Sequence, residues 1–353
     1  GTEAGLTAAE EADLLDTLTR RLDDRSFNRF DTYHQLAFPM LPGGWLSLVP
    51  RAGIGFTSYS DLDGNGFTGE DTADRTYVHA GLDASFKLSK IFPNIQSRRL
   101  GLDQLRHILQ PYARYSWVSA DDLGENFPSI DRLTLSTKLR PLDLTRFTAT
   151  DEIRDWNIVR VGTNNQLLTR RNGSSLPWFT WDTYMEFYLQ DPEFDRDYSN
   201  LFNRLFWNPL PWLSAGFDSQ IPVADAGNSF TELNSYLNFQ PFRNFRFSLG
   251  HFYLKDHPFF DDNNTLRVTS YTRLSDTWGF GTAHFYEAES DILQLQQYTI
   301  HRDLTSWTAA IGAQFRDNGN VEDFGLVFSL TSKAFPRVGV PVDFVGDNLS
   351  TIR

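Results

Sequence analysis

Three stretches of this sequence carry residue types that in combination transfer phosphate. His301-Arg302-Asp303-Leu304 has the order of a kinase catalytic loop, whose aspartate accepts the proton of the attacking hydroxyl. Asp323-Phe324-Gly325 has the order of a magnesium-binding motif, and Gly64-Asn65-Gly66-Phe67-Thr68-Gly69 that of a glycine-rich phosphate loop. The chemistry does not assemble. The asparagine needed for a metal within five residues of Asp303 is absent from Leu304-Thr305-Ser306-Trp307-Thr308, and no helical glutamate segment follows Lys87. Only 28 residues remain after Gly325, too few for a helical lobe. Asp61-x-Asp63-x-Asn65-Gly66 opens like a calcium loop, but its twelfth position is Thr72 where a bidentate glutamate belongs. It reads as an acidic hairpin loop.

Nucleophilic and metal chemistry fail as well. His34, His79, His107, His251, His257, His284 and His301 form no paired-ligand spacing, and no GxSxG elbow occurs. Ser248 and His251 could make a hydrolytic pair by proximity alone, but a three-residue offset on a strand puts them on opposite faces. With no cysteine, thiolate ligands, cysteine nucleophiles and disulfides are excluded. We expect no catalytic, cofactor-binding or metal residues. The acidic clusters at 61–74 and 191–197, with Asp256, Asp261 and Asp262, read as solvated loop tips; bridging divalent cations to lipid phosphates is the functional alternative.

The elements that would carry these residues are strands. Leu46, Leu48, Ala52, Ile54 and Phe56 alternate with polar or small neighbours, as do Val78, Ala80, Leu82, Ala84, Phe86 and Leu88. Phe179, Trp181, Met185, Phe187 and Leu189 continue the pattern, and so do Trp307, Ala309, Ile311, Ala313 and Phe315. A period of two means strands with one apolar and one polar face. Weaker alternation predicts strands over 30–38, 106–118, 131–140, 156–169, 211–219, 230–239, 243–254, 264–273, 277–288, 293–301 and 323–331. The total is about fifteen, with turn signals such as Arg171-Asn172-Gly173 between them. Many runs exceed the usual soluble strand of about 5–6 residues and match the roughly 9–11 that a tilted strand needs to cross a bilayer.

Composition narrows the class. The chain is 15% aromatic yet 22% charged, and no run of roughly 20 apolar residues exists for a membrane helix. A net charge of −13 argues against a nucleic-acid partner. The fold expected is all-β, an antiparallel transmembrane outer-membrane β-barrel, with a short N-terminal helix. That helix follows from the capping box Thr7-Ala8-Ala9-Glu10 and from Leu14, Leu15, Leu18 and Leu22 at helical spacing. It would plug or pack on the rim, or simply cover a strand edge. The division expected is 1–27 as an amphipathic helix or loop segment, 28–332 as strands and loops, and 333–353 as a tail. The start of the chain suggests a processed or excised part of something longer.

The last predicted strand carries a polar–glycine–aromatic–apolar pattern, Asp323-x-Gly325-x-x-Phe328-x-Leu330, of the kind recognised by the outer-membrane barrel assembly machinery. Phe30-Asp31-Thr32-Tyr33-His34-Gln35-Leu36, Leu105-Arg106-His107-Ile108-Leu109-Gln110-Pro111 and Val161-Gly162-Thr163-Asn164-Asn165-Gln166-Leu167-Leu168-Thr169-Arg170 add to it, as do residues 298–307 and 324–336. In order and spacing these stretches resemble the C-terminal barrel region of the lipopolysaccharide-assembly outer-membrane protein family LptD, the organic solvent tolerance family.

The resemblance implies transport without chemistry. In that family a barrel of about 26 strands, at the top of the common size range, takes lipopolysaccharide from a periplasmic bridge through a jelly roll. A lipoprotein partner (LptE-like) plugs it, and the lipid leaves between first and last strands. Residues 323–331 would be one lip of that gate, in the outer membrane of a Gram-negative cell. Fifteen strands are fewer than the family's barrel contains, so the jelly roll and first strands lie outside this chain, or a smaller barrel closes. The disulfides that some members use have no counterpart here. The rival readings are a general porin, with a full strand set and a constricting loop, and a soluble β-rich carbohydrate-binding module with a dry apolar core.

Overall fold

The computed structural model describes residues 26–63, 71–123, 127, 131, 136–192, 196–223, 230–317, 319, 322–334 and 339–340. The expected N-terminal helix, the glycine-rich stretch 64–69 and most of the tail lie outside them. Seventeen strands are present among the described residues, together with three single-turn 3-10 helices. They are β1 (Ser26–Ala37), β2 (Leu46–Asp63), β3 (Thr72–Phe86), β4 (Leu88–Ser97), β5 (Leu102–Ala120) and β6 (Trp156–Arg171). β7 (Ser174–Gln190), β8 (Leu201–Leu210), β9 (Leu213–Ile221), β10 (Thr231–Phe242), β11 (Phe245–Lys255) and β12 (Asn263–Arg273) follow. β13 (Trp278–Glu287), β14 (Ile292–Asp303), β15 (Trp307–Asp317), β16 (Glu322–Ser332) and the two-residue β17 (Gly339–Val340) complete the order.

The chain forms two compact units. One holds β1–β3 with residues 113–160 and 187–197; its ladder is antiparallel, with Tyr33 opposite Gly55 and Gly55 opposite Tyr77. The other holds residues 87–112 and 161–186 and everything from 198 onward, where β7 to β16 pair as successive antiparallel hairpins. Its turns follow local chemistry. Asn172 and Gly173 both take positive φ, 50° and 80°, the backbone of a two-residue turn matched to strand twist.

The sense of burial is inverted relative to a soluble sandwich. On β2 and β3 the enclosed positions are Thr57, Tyr59, Arg75, Tyr77 and His79, with Thr57 at 0% and Arg75 at 2% exposure. The opposite face leaves Ile54 55% exposed, with Phe56 and Leu82 also open. In the second unit β16 repeats this: Phe324, Leu326 and Phe328 are exposed and Val327 is buried. A soluble module would hide the apolar face and wet the polar one, so the carbohydrate-binding reading loses its physical basis.

Several sequence expectations need correction: β4, β8 and the two-residue β17 have no counterpart among the expected strands, and one expected strand is absent among the described residues. The run at 131–140 is not a strand in its described part, 136–140; the Arg140 guanidinium turns inward over the rings of Phe147 and Trp156, and the Arg160 side chain takes its carbonyl. Conversely, β8 escapes the alternation rule. Phe202 faces inward and stacks on Tyr184 at 5.1 Å, so both faces of β8 carry apolar residues and the period of two is lost.

Gly55 permits a close approach. A side chain on it would overlap the ring of Tyr77, which lies across the strand and stacks on Tyr33 at 5.8 Å. Gly55→Val is therefore expected to destabilise by about 1–3 kcal/mol through overpacking. The check is the temperature at which the folded band converts to the unfolded one on a semi-native gel. An unchanged transition would mean Tyr77 moves aside freely.

Candidate functional site

The densest constellation of polar side chains lies on the enclosed face of the first unit, where the segment between β5 and β6 folds inward. Its core is apolar. Leu142, Leu144, Phe147, Ala149 and Ile153 of the segment pack against Tyr77, Val118, Trp156, Ile158 and Tyr188 of the strands. Two 3-10 turns, Leu144–Arg146 and Thr150–Glu152, let it reverse direction within a few residues.

Polar ties fasten this segment at two points. At the first, Asp151 has 1% side-chain exposure and pairs with Arg29 of β1 at 3.0 Å. It also accepts from the Tyr59 hydroxyl, and from the Asp131 amide at 3.0 Å. Arg29 reaches Asp131 as well, at 2.6 Å, and Arg75 donates to the Thr150 carbonyl at 2.6 Å. At the second, Arg51 of β2 bridges Asp83 at 2.9 Å and Asp143 at 3.0 Å. Asp143 caps the first 3-10 turn, taking the Thr145 amide at 3.1 Å and hydroxyl at 2.9 Å. Burial alone would raise the Asp143 carboxyl, but the Thr145 bonds and Arg51 outweigh it and hold the group below the usual carboxylate range.

Ser116 and His79 meet here at 3.3 Å, and Tyr33 approaches the other ring nitrogen at 3.1 Å. This is not a hydrolytic pair. Ser116 has 0% exposure, donates to the Leu142 carbonyl at 2.9 Å and accepts from the Trp156 indole at 2.9 Å. Sequence reasoning missed this whole constellation, because its members come from β1, β2, β3, β5 and a segment whose residues 141–155 follow the run expected as a strand at 131–140. The pair weighed from sequence stays apart: Ser248 bonds Asn238 and His251 contacts Asn264. Among the described residues no group of three or more His, Cys, Asp or Glu converges as a metal site.

The terminal-strand residues lie on β16 but not on one face. Phe328 and Leu330 stand opposite Ile311 and Ala309 on the apolar side; Asp323 and Gly325 stand opposite Arg316 and Gln314 on the other. β16 pairs with β15 from Glu322 to Ser332, and among the described residues β17 meets it at Leu330 and Thr331.

Asp151→Asn should remove the buried charge from Arg29, at a cost of about 3–5 kcal/mol. Amides at 140–155 should then exchange with solvent about two orders of magnitude faster. The contribution of Asp143 is full above its unfolded value of roughly 4 and is lost as pH falls through the depressed folded value. Corrected exchange at 140–147 should thus be flat near neutrality and rise only below the ordinary carboxylate range.

One family model, described as LptD: LPS transport system D, matches residues 11–284, more than three quarters of the chain. The match ends before β14, so 323–330 lies beyond it. No curated protein matches the sequence.

Proposed function

This chain belongs to the LptD family, which serves lipopolysaccharide transport to the outer membrane, and from that premise we propose that it forms barrel wall of the outer-membrane translocon. Residues 28–332 close, alone or with strands outside this chain, around a polar interior. The sugar part of lipopolysaccharide passes through that interior while the lipid leaves along β16. The observation that carries this is the inverted burial: an enclosed face with Arg51, Arg75, His79 and Glu186, and an open face with Ile54, Phe187, Ile311 and Leu326. Only an apolar solvent satisfies such an outer face. The gate lip on this reading is β16, the last long strand among the described residues, because lateral exit needs a strand seam that can part in the bilayer.

The partners on this reading are lipopolysaccharide, a lipoprotein plug, the periplasmic bridge and, during biogenesis, the barrel assembly machinery acting on Asp323, Gly325, Phe328 and Leu330. The transporter needs no catalytic residue or cofactor. A porin also calls for an inward segment, and residues 136–155 supply one. That segment, however, is packed against Trp156 and Ile158 at 0% exposure, the packing of a seal rather than of a water-filled constriction.

The test exploits the lack of cysteine. Leu330→Cys is paired with a cysteine on the first strand of the complete protein, and surface lipopolysaccharide is measured with and without reductant. Lateral exit predicts at least a tenfold loss on crosslinking, restored by reduction. Unchanged delivery with a fully formed crosslink would falsify it. Depletion that abolishes small-solute entry but spares surface lipopolysaccharide would favour the porin.

A further inference from the structure

In the second unit the antiparallel order brings the turns after β4, β6, β8, β10, β12 and β14 to one end of the strands. Contacts between neighbouring turns agree with this: Trp178 donates to the Leu100 carbonyl at 2.7 Å, and Arg171 to that of Pro209. This end is basic, with Arg98, Arg99, Arg170, Arg243, Arg273 and Arg302 at or beside the turns. The opposite end of the same ladder is acidic, with Asp256, Asp261, Asp262, Asp317 and Glu322 in or beside its loops.

Two of these arginines share a cleft. Arg243, Asn244, Arg273, Ser275 and Asp276 line a volume of about 490 Å³ between the β10–β11 and β12–β13 turns, within the size range of small-ligand sites, roughly 300–1,000 Å³. The Arg273 amide donates to the Asn244 carbonyl at 2.7 Å, which fixes one turn on the other. The Arg273 guanidinium donates to the Ser275 carbonyl at 3.1 Å and the Asp276 carbonyl at 2.5 Å, which hold it in place. Arg243 is exposed and makes no hydrogen bond or ion pair among the described residues. One fixed cation, one free cation and an asparagine amide outnumber the single carboxylate of Asp276 in the lining, and they are the donors that a phosphodiester takes.

The surroundings select the ligand. Phe242 and Leu274, each 67% exposed, precede and follow the two arginines, and Arg302 lies 4.4 Å over the ring of exposed Trp278. Cations beside exposed apolar and indole side chains suit the level of a bilayer where headgroups meet acyl chains. Short turns are the periplasmic side of such barrels. We propose that this cleft is a headgroup site for an anionic glycerophospholipid of the periplasmic leaflet. The assignment rests on the barrel reading above, but not on the gate.

The test uses the full-length protein, delipidated in neutral detergent, offered phosphatidylglycerol, phosphatidylcholine or lipid A and examined by native mass spectrometry. Wild type should retain phosphatidylglycerol about tenfold better than phosphatidylcholine. Arg243→Gln should lose that preference and Arg243→Lys keep most of it. Equal retention by wild type and Arg243→Gln would overturn the site, as would an Arg243-dependent preference for lipid A or displacement by millimolar inorganic phosphate. A gel shift on boiling is recorded for every variant. If the shift is intact and the preference absent, the lipid site alone is wrong; if wild type shows no shift and needs no detergent, the barrel reading is wrong instead.

Discussion

The fold depends on one constraint: most strands present an apolar face to one side and a polar face to the other, and each face must find a matching medium. Water cannot serve the face that carries Ile311, Phe315, Leu326 and Phe328, since contiguous exposed apolar surface of that extent is an interaction surface rather than a solvated one. On the barrel reading a bilayer serves it, and a bilayer accepts no unpaired backbone group. The hairpin succession from β7 to β16 meets that demand with each strand bonded to its sequence neighbours. Strands of 9–12 residues in β8–β16 have about the length a tilted crossing needs.

The inward face carries the opposite difficulty. Enclosing Arg51 and Arg75, and partly Arg29, is unfavourable unless each finds acceptors, and the segment before β6 provides them through Asp131, Asp143, Asp151 and the Thr150 carbonyl. Apolar packing around Trp156 and these ion pairs therefore act together. Without the segment, three guanidinium groups would lose these partners.

Periodicity made most of this legible in advance. Strand existence followed from the alternation in β2, β3, β7 and β15, where neighbours differ sharply in polarity. The turn at Asn172-Gly173 and the loop of Asp256, Asp261 and Asp262 followed from residue type, whereas Asp61, Asp63 and Asp74, expected in a loop, lie on β2 and β3. What stayed hidden depends on tertiary contact. β8 reads as featureless because Phe202 answers to Tyr184 across the ladder rather than to its own neighbours. The run 131–140 reads as a strand because Leu133, Leu135 and Leu139 alternate with polar residues. Its described end is set instead by contacts of Arg140 with Phe147, Trp156 and Arg160, later in the chain. The cluster around Asp151 has no motif at all, since four separate stretches of chain contribute to it.

The position of Arg29 links these features. β1 is bonded along its length to β2, and Arg29 adds two ion pairs from β1 to the inward segment. Displacing β1 relative to β2 would also pull on Asp131 and Asp151. Withdrawal of the segment would in turn leave Arg29 without these acids. Because Asp151 is shielded while the Arg29 side chain is 27% exposed, salt screens the pair from one side only, and the tie is stronger than a surface ion pair of similar length. Displacing β1 would therefore break a ladder and a shielded ion pair together.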